Sequence, residues 1–268
     1  MLDCCLTTPK QTGLRAALRL CPELACYKVD IAALSATCFT DKGQMIEPGI
    51  DYTFSCRGHN SGERCEARVG FAIKTTYAQK LKSIHESIND HLMKMQLPLG
   101  HKTNCTPISG YAPTMTNPEE TKDRFYEERG SLISSVLQSE KLIVFGDSNA
   151  CVGSGHQAWH NIIEKHGVGK CNSYGLLLSL CASHNLTITN TMFSLSTCNK
   201  TSWMHPCSRY WHLIDYIITR VKDRQDAHLA EAMRGTSADC LMDHPLIISR
   251  ENLLIQPKKR PQGQKVTI

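Results

Sequence analysis

No run of residues in this sequence is long and apolar enough to cross a bilayer. The N-terminal segment MLDCCLTTPKQTGLRAALRL lacks the apolar core of a secretory signal. Together these absences predict an intracellular protein, nuclear or cytoplasmic, with no membrane partner. Asn104, Asn185 and Asn199 each open an Asn-x-Ser/Thr pattern, and that compartment predicts that they stay unmodified. No Cys-x-x-Cys pair occurs among the 14 cysteines, so their spacing outlines no zinc site. Disulfide frameworks belong to short secreted chains, and at 268 residues this is not one, so free thiols are expected. Repeats and low-complexity tracts are missing, apart from the end QPKKRPQGQK, where residues 256–268 are expected to form a disordered basic tail.

What remains is the composition of an ordinary folded protein. Apolar residues make up 41% and charged residues 21%, enough for a sizeable core over residues 1–255. A net charge of +5 permits a polyanionic partner without demanding one. Apolar runs and alternations predict strands over 29–34, 52–56, 69–73, 91–99, 104–111, 142–145, 186–189, 202–205, 213–219 and 246–249. Helices are predicted over 13–24, from Asn117-Pro118 to Leu137, and after a cap at Asn172. Pro107 is awkward inside a strand because it removes a ladder donor. Strands outnumber helices and the loops vary in length. That pattern fits an α+β fold of two packed sheets flanked by helices better than a regular βαβ alternation.

The stretch KLIVFGDSNAC is the clearest pointer to chemistry. Its apolar run reads as a strand buried on both faces, ending at Gly146 with Asp147 and Asn149 just beyond. The carboxyl ends of buried strands are where ligands usually sit, although Asp and Asn also favour plain turns. Tyr111, Asp215 and the pair Asp243-His244 stand after or within other predicted strands. Hydrolysis of a phosphate ester uses carboxylates, an imidazole oriented by a carboxylate, and neutral donors for the phosphate oxygens. All of those groups are present.

The ordered runs YKVDIAALSATCF, VGFAIK, INDHLMKMQLPL, SGYAPTMT, KLIVFGDSNACVG, LTITNTMF, TSWMHPCSRYWHLIDYII and MDHPLIISR resemble the endonuclease/exonuclease/phosphatase family. Within it they are most similar to the endonuclease domains derived from LINE-type retrotransposons, the group called craniofacial development protein 2-like. The resemblance implies a deoxyribonuclease-I-like four-layer sandwich. It also implies a phosphodiesterase dependent on Mg²⁺ or Mn²⁺ and acting on DNA; a monomer is expected, with the oligomeric state left open. On this resemblance Asp147 corresponds to the water-activating carboxylate, Asn149 and Tyr111 to phosphate contacts, Asp215 and His244 to the Asp–His pair, and Asp243 to a metal carboxylate. Ser202 and Trp203 fall in the stretch that lies beside the nucleic-acid groove.

Two departures predict impaired activity or an inactive, nucleic-acid-binding remnant. The family carries Ser-Glu-Thr where this chain has Ser35-Ala36-Thr37, and Ala36 cannot ligate a metal. The family also opens with a strand ending in Asn; nothing in MLDCCLTTPK matches it, so the first strand and its Asn are expected to be missing. Cys38, Cys151 and Cys207 stand where relatives tend to carry Arg, the pattern of a decaying reading frame.

Overall fold

A computed structural model describes residues 1–7, 14–35, 43–46, 51–56, 69–79, 81, 86–100, 103–172, 175–234 and 244–255. In chain order the elements are β1 (Leu2–Thr7), α1 (Leu14–Cys26), β2 (Ile31–Leu34), β3 (Gly43–Ile46), β4 (Tyr52–Cys56), β5 (Gly70–Lys74) and α2 (Thr75–Ala78). They continue with β6 (Glu86–Ser87), β7 (Leu92–Lys94), β8 (Leu97–Pro98), β9 (Asn104–Tyr111), α3 (Glu119–Ser135), β10 (Lys141–Asp147) and α4 (Leu176–Ser183). The chain closes with β11 (Leu186–Ile188), β12 (Trp203–Met204), β13 (Trp211–His212), β14 (Asp215–Arg220), β15 (Ala227–Met233) and β16 (Leu246–Glu251). One sheet runs β15-β16-β1-β2-β5-β4-β3; the other runs β11-β14-β10-β9-β7-β6, with β8 also on β9.

Strand alternation divides the core into layers. Leu2, Cys4, Leu6, Ile31, Phe71 and Ile73 of the first sheet meet Cys105, Ile143, Phe145 and Ile217 of the second. On the outer side of the first sheet, Cys5, Ala32, Leu34, Phe54 and Ile248 pack against Leu20 and Leu24 of α1. Behind the second sheet, Ile108, Leu142, Val144 and Ile218 pack against Phe125, Leu132 and Ile133 of α3 and Leu177, Leu180 and Cys181 of α4. The order is therefore helix, sheet, sheet, helices, as expected for two packed sheets flanked by helices. Burying each large apolar side chain contributes about 1.5–3 kcal/mol, so the sandwich interior is the main stabilising region.

Several expectations are corrected. The first strand is not missing: β1 lies inside its sheet, parallel to β2 and antiparallel to β16. Its alternation was hidden because cysteine serves as a small hydrophobe at Cys4 and Cys5, both buried. The strand contains no Asn. The predicted strand 91–99 splits into β7 and β8. Its alternation holds, with Met93, Met95, Leu97 and Leu99 buried. Pro107 faces that split, where the Met95 N–H donates to the Pro107 carbonyl, so the missing Pro donor falls opposite a break in the neighbouring ladder. Asn117 does not cap α3; Pro118 holds that position, and Asn117 Oδ1 accepts from the Thr114 N–H and hydroxyl instead. The helix ends at Ser135, leaving Leu137 64% exposed. Asn172 does not cap α4, which starts from Gly175. The predicted strands 202–205 and 213–219 fall in different sheets: β12 pairs with β13 in a separate hairpin, and β14 pairs with β10 and β11. Ala36, Asp243 and the 256–268 tail lie outside the described residues. Among the described residues no helix is long and apolar enough to cross a membrane.

Candidate active site

The site lies where the ends of the two sheets meet. In the second sheet Asp147, the last residue of β10, is in register with Tyr111 at the end of β9 and Asp215 at the start of β14. Cross-strand partners share a face. Asp147 follows the parity of Ile143 and Phe145, and Asp215 that of Ile217, so both carboxylates point toward the first sheet. One position earlier Gly146 is in register with Gly110. A Cβ on Gly146 would stand 2.4 Å from the Gly110 carbonyl oxygen, so the close approach of β9 and β10 beside the site requires glycine there. From the first sheet, His244 reaches in just ahead of β16.

The three side chains are almost sealed: Asp147 is 3%, Asp215 1% and His244 6% exposed. His244 Nδ1 is 2.7 Å from Asp215 Oδ2 and 4.0 Å from Asp147 Oδ2. A carboxylate accepts, so Nδ1 carries the proton, which fixes the tautomer of the ring. Asp147 Oδ1 accepts from the Asn149 backbone N–H at 2.8 Å. Burial, and then the charge of Asp215, push the Asp147 carboxyl up to about 7; His244 and the Asn149 N–H oppose this without cancelling it.

The backbone around Asp215 is clamped at both ends. Ser202 Oγ accepts from the N–H groups of Ile214 and Asp215, each at 3.1 Å. Asn190 Nδ2 donates to the Asp215 carbonyl at 3.3 Å, while Asn190 Oδ1 accepts from the Ile217 N–H at 2.8 Å. Ser202, expected beside a nucleic-acid groove, is fully buried and its hydroxyl is committed to the backbone. Trp203 is half-buried, edge-on to His205 and tilted against His212. Asn149 adopts a left-handed φ of 44° and donates from Nδ2 to the Ala112 carbonyl at 2.7 Å. Asn tolerates that conformation better than most residues. Tyr111 is half-buried, its N–H donating to the His91 carbonyl and its own carbonyl 3.0 Å from His91 Nδ1. His91 and Asn190 carry no sequence signal of these contacts beyond lying in runs that bear the family resemblance.

Asp147, Asp215 and His244 offer ligand atoms within 4.8 Å of one another, a spacing that would admit one cation. The donor chemistry does not make a complete hard-cation site. Mg²⁺ takes an octahedron of oxygens with several waters, whereas here one donor is an imidazole nitrogen and one Asp147 oxygen is committed to Asn149. The arrangement matches an oriented imidazole beside a carboxylate of raised basicity.

No protein-family model matches the chain. Craniofacial development protein 2 of Bos taurus is 30% identical over 236 residues, covering 87% of this chain; the chain spans 38% of that relative's length. The catalytic domain of Xenopus laevis APE2 superposes with a TM-score of 0.65 at 14% identity, over 97% of this chain and 94% of that one. The endonuclease domain of TRAS1, a telomere-specific non-LTR retrotransposon, superposes with a TM-score of 0.61 at 13% identity, over 94% and 99%. Two mixed sheets flanked by helices, closed over a buried Asp–Asp–His cluster, are the endonuclease/exonuclease/phosphatase fold, and the chain has that fold and is a sequence relative of craniofacial development protein 2.

Proposed function

We propose that this protein is a nucleic-acid phosphodiesterase of the endonuclease type with attenuated activity. The observation that carries the reading is the register pairing of Asp147 with Asp215, with His244 brought from the opposite sheet to hydrogen-bond Asp215 at 2.7 Å. With its carboxyl near 7, Asp147 is a base matched to neutral pH and takes the proton of an attacking water. His244, held in one tautomer by Asp215, faces the charge that develops on the phosphate. Asn149 and Tyr111 hold non-bridging oxygens at the ends of β10 and β9. Trp203 and DNA as the partner enter through the likeness to nucleases, as does Asp243 as a metal carboxylate.

Attenuation follows from the metal. Mg²⁺ or Mn²⁺ is the cation implied by the resemblance, and Ala36 supplies no ligand where the family has Glu. The same substitution favours a second reading, an inactive protein that holds nucleic acid in the same groove. Plasmid nicking in Mg²⁺ or Mn²⁺ separates the two. We expect slow nicking by the natural chain, lost in Asp147→Ala and raised in Ala36→Glu. No nicking by the natural chain or by Ala36→Glu, in folded protein, selects the inactive reading.

A further inference from the structure

A hairpin leaves the second sheet just before Asp215. Its strands pair Trp203 with His212 and Met204 with Trp211, and the His205 N–H donates to the Tyr210 carbonyl at 2.9 Å. Alternation puts Trp203, His205, Tyr210 and His212 on one face and Met204 with Trp211 on the other. The root is tied to the site through Ser202, whose N–H donates to the His212 carbonyl at 2.7 Å and whose Oγ holds the Asp215 N–H. The tip is braced as well. Arg209 N–H donates to the His205 carbonyl at 2.9 Å, and Ser208 N–H donates to His205 Nδ1 at 3.1 Å.

This braced hairpin exposes large aromatics that the core does not use. Tyr210 is 73% and Trp211 41% exposed, and Trp211 belongs to none of the three apolar clusters. The guanidinium carbon of Arg234 lies 3.5 Å from the centre of the Trp211 ring. That guanidinium is itself anchored, donating to the carbonyls of Cys198 and Thr201 and to the Thr201 hydroxyl. One face of the indole is therefore stacked on a fixed cation, and the exposed area belongs to the rest of the ring.

An occupant must offer a flat π surface and tolerate the guanidinium of Arg234 behind the ring. A nucleotide with its base unpaired does both; in a duplex the base faces are hidden in the stack. We propose that Trp211, backed by Arg234, is a stacking platform for an unpaired nucleobase of single-stranded nucleic acid next to the site. The platform rests on the reading of nucleic acid as the substrate, but its test does not depend on cleavage.

The experiment measures binding of fluorescein-labelled oligo(dT), and of a duplex of equal length, to the full chain in EDTA by anisotropy and tryptophan quenching. The natural chain is expected to favour the single strand. Trp211→Ala is expected to weaken oligo(dT) binding by roughly five- to a hundredfold, the range spanned by one stacked base, with little change for the duplex. Trp211→Phe keeps a π face and recovers most of the affinity, which rules out a folding defect. Unchanged oligo(dT) binding by Trp211→Ala overturns the inference, as does an equal loss on duplex. A concentration-dependent dimer that dissociates in Trp211→Ala also overturns it, assigning the surface to a second copy of this chain. Plasmid nicking is scored separately. Nicking with Trp211-independent binding removes the platform alone; Trp211-dependent binding without nicking removes the endonuclease reading alone.

Discussion

Charged groups are buried from both sides of the same sheet end, and they are treated differently. On the side facing the first sheet, Asp147 Oδ1 accepts from the Asn149 N–H, Asp215 Oδ2 is paired with His244, and Ser202 and Asn190 clamp the Asp215 backbone; Asp215 Oδ1 alone of these two side chains is left as a buried oxygen without a partner among the described residues. On the helix side, Arg129 of α3 is 1% exposed. Among the described residues its Nε and one Nη have no hydrogen-bond partner, and its other Nη makes only a 3.5 Å contact with Ser148 Oγ. The Phe125 ring, 5.9 Å away, offers a weak cation–π contact in return. Burial accordingly lowers the Arg129 pKa. A buried charge near a candidate site is therefore not evidence of function by itself. The partner set is what separates a built site from an uncompensated cost.

The largest effect that sharpens this contrast is catalytic. Asp215→Asn preserves shape but alters the partner of His244, and nicking should fall by roughly 10²- to 10⁴-fold with little change in fold. An unchanged rate would remove the Asp–His pair from the proposed mechanism. Next in size, Arg129→Leu should raise stability by about 1–4 kcal/mol, read as a higher urea midpoint, because a buried ion held by one long hydrogen bond and a weak cation–π contact is exchanged for an apolar side chain. A destabilised variant would mean that Arg129 has a role in the fold that its contacts do not reveal. Asn190→Ala removes two buried hydrogen bonds at the Asp215 clamp and should cost about 1–3 kcal/mol, with nicking lowered as well. Lost stability with nicking intact would show that the clamp does not position Asp215.

The smallest effect is a pH slope. Glu251 is buried beside Cys4 and Cys105, and desolvation pushes it up from 4.5 to about 7, against the hydrogen bond from Ser249. A carboxyl raised in the folded state binds more protons folded than unfolded between those values. Its contribution to stability is present below 4.5 and is lost as pH rises toward 7. Asp147 acts in the same direction from 3.8 to about 7. Urea midpoints at pH 5 and pH 8 should fall less steeply in Glu251→Gln than in the natural chain. Equal slopes would show that Glu251 does not titrate in this window.

Much of the fold was legible in the sequence because buried strands advertise themselves. The runs at β2, β4, β5, β9, β10, β14 and β16 are apolar or alternate strongly, and each forms within a few residues of its expected place. The misses have local causes. β1 is written in cysteines, β15 mixes His and Glu into its edge position, and β13 is too short for periodicity to register. At the candidate site the resemblance pointed to Tyr111, Asp147, Asn149, Asp215 and His244. It could not show that Ser202 faces inward, because a single Ser before a Trp carries no signal of which side of a short ribbon it takes.

By itself the sequence determined the alternation of apolar and polar positions, hence two sheets with helices outside, and the residue types available at the strand ends. Those depend on neighbours along the chain, within reach of a period of two or 3.6. Only the tertiary structure decided which strand ends meet. The register of β10 on β14 sets Asp147 against Asp215, and the packing of one sheet on the other delivers His244 from far along the chain. It also decided that Asp147 would be hard to ionise and that Arg129 would be stranded. Both depend on exclusion of water and on the partners within a few ångströms, and neither quantity exists until the layers close.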